Sequence, residues 1–153
     1  MKHLVVVCLA ILVTVSAAAP AYPNLNPKRE DESPFALAKC IGDPRTRAFY
    51  LFSTSVGNYT VSTGGLVEVY VGNRKKYFPV KVGANSRIER LYFLEHEGDL
   101  LLLYEAGKSG YLVRVNQATR KVKSTTAINE DFEPPLVKDH SLTFTDGTVV
   151  PLN

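Results

Sequence analysis

"GYLVRVNQATRKVKSTT", residues 110–126, is two strand-like runs rich in Val, Tyr and Thr, joined by the polar stretch Asn116 to Thr119. That is hairpin chemistry. Leu112, Val113, Arg114 and Val115 switch between apolar and basic side chains, the alternation of a strand with one wetter face. A related unit precedes it. "GLVEVYVGNRKKYFPV", residues 65–80, aligns Gly65 with Gly110 and Arg74-Lys75 with Arg120-Lys121, at offsets of 45 and 46 residues. Arg47 to Phe52 ("RAFYLF") matches Arg90 to Glu95 ("RLYFLE") 43 residues later.

The repetition predicts units of four strands, at about 47–53, 56–62, 65–71 and 76–82, and again at about 90–96, 99–105, 110–116 and 120–126. A third unit opens with "LVKDHSLTFTDGTVVPLN", residues 136–153, and stops after about two strands. Leu100 to Leu103 form an unbroken apolar run, which requires cover on both faces of the sheet. The expected fold class is all-β: antiparallel, four-stranded, blade-like repeats, about two and a half of them, arranged as a partial β-propeller or a β-sandwich.

The hairpin "GYLVRVNQATRKVKST" resembles the outer hairpin of quinoprotein-like or WD-type propeller blades, in which Asp, a small spacer, Thr-Gly and a basic residue form the turn. Asn116 stands in the Asp place, Thr119 fits, and Arg120 replaces the glycine. The tryptophan that often closes such a blade is missing, with Ser124 or Thr125 near its place. The resemblance covers residues 46–153 and implies stacked blades, with no cofactor site carried over. Closed propellers need at least about four blades, so two and a half imply a ring completed by other copies, a smaller sandwich capped by the N-terminal strand, or a remnant of a longer propeller. Open blades leave strand edges that invite association, so a homo-oligomer is expected.

The N-terminus has Lys2 and His3, an apolar run from Leu4 to Val15, and the small residues Ser16 to Ala21. This is the pattern of a secretory signal peptide, read as residues 1–21 with Tyr22 as the new N-terminus. The run is shorter than the ~20 residues of a spanning helix, and Cys8 lacks the flank of a lipidated cysteine, so no membrane anchor is expected. The location is then secreted (extracellular) or periplasmic. Residues 22–45 are a leader, Pro- and charge-rich up to Pro34 and followed by the apolar "FALAKCIG". Residues 46–153 are the β-repeat domain. Cys40 is the one cysteine left after cleavage. It is expected to be buried or otherwise inert, with pairing to another chain as the other reading.

Without Lys2, 17 of the 18 basic residues face 15 acidic ones, and the net charge is +2 instead of +3. This is too mild for nucleic acid. The basic residues are nevertheless clustered at matching places of two repeats: Arg74, Lys75 and Lys76 in one outer hairpin, Arg120, Lys121 and Lys123 in the next. Neighbouring units would set them side by side on a rim able to hold a polyanion, such as a sulfated glycan, or a protein partner. Lysines also guard exposed strand edges, which is the simpler account of the same residues.

Other candidates are weaker. His96 lies among Glu95, Glu97 and Asp99, and His140 follows Asp139, but the spacing matches no compact ligand motif, and no metal site is assigned. Glu95, Glu97 and Asp99 alternate along one stretch and would line one face if it were a continuous strand. No nucleophile elbow or Cys-His signature accompanies them, so no catalytic residue is assigned. Asn58-Tyr59-Thr60 is a glycosylation sequon, usable at Asn58 in a eukaryotic secretory pathway. Tyr59, Tyr70, Tyr77 and Tyr111 fall near strand ends, where they would stack on sugars or sit half-buried. The sequence reading is a non-enzymatic binding or interaction module. Its alternatives are a secreted hydrolase using the acidic and histidine-bearing turn, a propeller remnant without separate function, and a small β-barrel carrier.

Overall fold

A computed structural model describes residues 32–43 and 48–152. The expected signal peptide and half of the leader lie outside the described residues. Thirteen strands and no helix make up what is described, so no helix there is long and apolar enough to cross a membrane.

The strands form three antiparallel sheets, none closed into a barrel. The N-terminal sheet is a meander of β3 (Phe49–Ser53), β4 (Asn58–Ser62), β5 (Leu66–Val71) and β6 (Arg74–Pro79), with β2 (Lys39–Ile41) added beside β3. The central sheet is a meander of β7 (Ile88–His96), β8 (Asp99–Ala106), β9 (Gly110–Asn116) and β10 (Lys121–Ile128), with β1 (Ala36–Leu37) beside β7. The C-terminal sheet holds β11 (Leu136–Lys138), β12 (Ser141–Thr143) and β13 (Val149–Pro151). The sequence period thus falls on the two meanders strand for strand, and the third unit carries three strands instead of two.

The side-chain period of two divides β8 between two cores. Leu100, Leu102 and Tyr104 pack with Val113 and Val115 against Tyr50, Tyr59, Val61, Val67 and Val69 of the N-terminal sheet. Leu101 and Leu103 turn the other way, onto Leu142, Phe144 and Leu152 of the C-terminal part and onto Phe132. All four leucines are fully buried. The central sheet is therefore the middle layer of three.

Residues 35–41, assigned above to the leader, lace the layers together. Phe35 enters the second core, Ala36–Leu37 pairs with Tyr92 and Phe93 of β7, Ala38 is buried in the first core, and Lys39–Ile41 pairs with β3. The Ala38 amide donates to the Leu91 carbonyl at 2.9 Å, so the strap crosses from the edge of one sheet to the edge of another without losing its hydrogen bonds. Cys40 corrects its expectation: it is exposed, because β2 is an edge strand, with no neighbour beyond it among the described residues.

Two tyrosines tie the layers with polar contacts. The Tyr50 hydroxyl donates to the carbonyls of Ile88, at 3.2 Å, and Glu89. Tyr104 donates to the Lys81 carbonyl at 2.5 Å. Burial, with the Cys40 thiol beside it, pushes the Tyr50 phenol up to about 12, and burial raises that of Tyr104 as well.

Ala38→Asp tests whether the strap belongs to the cooperative fold. It places a carboxylate in the first core and should cost about 2–4 kcal/mol, read as a lowered denaturation midpoint. An unchanged midpoint would mean that the strap peels away before the sheets unfold.

Candidate functional site

The hairpin that joins β9 to β10 is built by its own side chains. Asn116 Oδ1 accepts from the Thr119 amide at 2.8 Å and from the Thr119 hydroxyl at 2.9 Å, and the Arg120 amide closes onto the Asn116 carbonyl at 2.7 Å. Arg120 has φ +56°, the left-handed conformation that glycine adopts at least cost, so it occupies the glycine place in shape as well as in order. In the N-terminal sheet the matching connection is the tighter Gly72–Asn73 turn, after which Arg74 begins β6.

These two outer hairpins meet. The Lys76 ammonium donates to the Thr119 carbonyl at 3.0 Å, so β6, the last strand of the N-terminal sheet, meets the turn that leads into β10, the last strand of the central one. The residues differ in what they hold. Lys75 lies on the outer face of the N-terminal sheet, 2.9 Å from Glu68, with its ammonium 5.0 Å and 4.8 Å from the ring centres of Tyr70 and Tyr77. Contacts with those two tyrosines and with Glu68 raise its pKa and keep it charged. Lys123 reaches Asp99 at 2.8 Å. Arg74 and Lys121 are exposed, and the Nε of Arg120 is buried without a hydrogen-bond partner.

The outer face of the N-terminal sheet has no layer over it among the described residues. Ile41, Phe49, Leu66, Tyr70 and Tyr77 are all substantially exposed there. Asn58, the sequon residue, is exposed on the same face and accepts from the Ser53 hydroxyl at 2.7 Å. Tyr59 and Tyr111 are not surface aromatics and are buried more deeply than the half-buried strand positions expected of them. Both are buried, because they alternate onto the first core, where Tyr59 stacks on Phe52 at 5.1 Å.

The carboxylates read as one trio are separated by a hairpin. β7 ends at His96 and β8 begins at Asp99, so Glu97 and Gly98 form a two-residue turn with φ +48° and +80°, and each acid takes a different partner. Glu95 accepts from the Ser55 amide at 2.7 Å, from the Ser55 hydroxyl, and from Gln117 Nε2 at 3.1 Å. Burial works against its charge, but those donors prevail and hold it below the usual carboxylate range. Asp99 is 2 % exposed and is bound by Arg114 and Lys123. Glu97 points to His140, whose Nδ1 is 3.2 Å from its carboxylate. The first hairpin of every unit therefore lies at one end of the stack.

Sequence reasoning missed the Asp99–Arg114 pair and the Gln117 hub. Arg114 also donates to the Leu152 carbonyl and is largely buried, whereas alternation alone pointed it to solvent. The available signal was Asp99 standing directly before the apolar run. Gln117, 3 % exposed, carries no sequence signal beyond being a turn residue.

Comparison with protein-family models, with curated proteins and with solved structures finds no match to this chain.

Asp99→Asn should cost about 3 kcal/mol, since it removes a buried charge that Arg114 and Lys123 both hold. Burial opposes ionisation of Asp99, but the hydrogen bonds from Lys123 and Arg114 outweigh it and lower its pKa. The stability it contributes is thus present above the ordinary Asp value of about 4 and is lost as pH falls through the lower folded value. Acid unfolding curves should be shallower for Asp99→Asn than for wild type. Superimposable curves would remove Asp99 from the acid transition.

Proposed function

We propose that this protein is a non-enzymatic binding module, exported from the cell, whose ligand is an acidic polysaccharide lying along the rim of β6 and β10. The observation that carries the reading is the Lys76 to Thr119 contact, which brings a lysine of one basic cluster to the turn that precedes the other, 46 residues on in sequence. Summed charge of this kind attracts a polyanion over a distance of several ångströms, and salt screens it.

Tyr70 and Tyr77 point to a sugar polymer. They are exposed beside Lys75 on the outer face, where an aromatic ring and a cation suit a ring carrying sulfate or carboxylate. Lys75 and Lys123 already have carboxylate partners, so Arg74, Lys76 and Lys121 would provide most of the new contacts. Blade-like stacking is the architecture that goes with this reading, each meander being one blade whose last strand faces outward.

Heparin chromatography provides the test. Wild type should be retained and released by salt, and the double charge reversal Arg74→Glu with Lys121→Glu should elute at markedly lower salt. Reversal of Lys108, in the exposed β8–β9 turn, should leave retention nearly unchanged. Losses in proportion to the number of charges reversed, in both variants, would reduce the interaction to net charge and overturn the rim as the site.

A further inference from the structure

We infer that His96, Glu97 and His140 form a binding site for a divalent transition ion of the zinc type, fastening the C-terminal sheet to the central one. One ligand atom from each residue lies within 4.8 Å of the others. Glu97 Oε1 is 3.8 Å from His96 Nε2 and 3.2 Å from His140 Nδ1. Tetrahedral zinc with bonds of about 2.0–2.1 Å sets its ligand atoms about 3.3 Å apart, so small side-chain rotations would close the set. Two imidazoles and a carboxylate suit this class of ion, and a water would complete the coordination.

Two further observations favour a ligand. His96 Nε2 is buried and has no hydrogen-bond partner, although it faces the carboxylate. Buried polar atoms are nearly always satisfied, and an ion would satisfy this one. The second is the turn that carries His140. β11 and β12 are joined by Asp139 and His140 alone, both left-handed, with φ +48° and +56°. The matching turn between β7 and β8 has Gly98 in the second place, the residue that such a turn prefers. A histidine there carries a backbone cost that glycine would not, which fits retention for its side chain.

The set bridges units. His96 and Glu97 close the first hairpin of the central sheet, and His140 closes the first hairpin of the C-terminal sheet. That sheet is three strands of three residues each, the smallest layer of the fold, and an ion at its turn would fix it to the layer beneath.

The test is isothermal titration of zinc chloride into chelator-treated full chain without a histidine tag, with thermal melts in parallel. One ion per chain should bind, and zinc should raise the melting midpoint. His140→Gly removes a ligand while relieving the left-handed turn, so its metal-free midpoint should equal or exceed that of wild type while zinc affinity falls at least about tenfold. His96→Gln should weaken binding comparably. Absence of stoichiometric binding to wild type, or undiminished affinity in either variant, would overturn the site.

Discussion

The two-sided burial of β8 is the constraint on which the rest depends. Leu100 to Leu103 are completely buried, two on each face. Fully burying one leucine is worth about 1.5–3 kcal/mol, so a central sheet exposed on either side would forfeit a large part of a typical domain's net stability. Layers are therefore needed above and below it. The N-terminal sheet supplies one. The C-terminal sheet, too small to stand alone, is held in place by Phe144, Leu142 and Leu152 seated on Leu101 and Leu103.

Hydrophobic burial is non-directional and does not by itself say how the layers sit on one another. Here the directional contacts are few and specific. Tyr50 and Tyr104 reach from one layer to carbonyls at the start or end of the connection between the first two sheets. Both phenols are neutral, and hence donors, at physiological pH, and burial pushes their pKa values further up. At the hairpin end, Gln117 holds Glu95 with its amide nitrogen, while its oxygen accepts from the Thr54 hydroxyl at 3.2 Å. Each contact joins groups far apart in sequence; those of Tyr50 and of Thr54 with Gln117 fix the stacking of one sheet on the next, and that of Gln117 with Glu95 ties two strands of the central sheet.

The meanders were legible in the sequence because their information is local and repeated. Strand alternation, the Asn116 to Thr119 turn and the apolar run each state their own geometry, and a second copy at a near-constant offset confirms the period. The strap was not legible. "FALAKCIG" is short and apolar, and only the two open sheet edges beside β3 and β7 determine that it splits into two strands. The fate of Cys40 follows from that split. The supposed carboxylate trio failed for a similar reason. A strict alternation from Glu95 to Asp99 holds only if the strand continues, and Glu97-Gly98, apt for a tight turn, reverses the chain instead. Likewise, His96 and His140 are 44 residues apart in sequence. Only the stacking of their hairpins brings them together.

The basic rim proposed here would serve two physical requirements at once. β6 and β10 are edge strands, and Arg74, Lys76, Lys121 and Lys123 discourage another strand from pairing there, as edge lysines do in many sheets. That role needs no contact between the two clusters. It would be met equally by lysines on edges far apart or by acidic residues. What edge protection leaves unexplained is the convergence: one sign of charge on both edges, a lysine bridging them at Thr119, and exposed tyrosines flanking the strip at Lys75. The proposed binding rim would make use of all three. The two roles are compatible because a flexible polyanion needs summed charge and not strand pairing, so the edge can repel a strand while attracting a polymer.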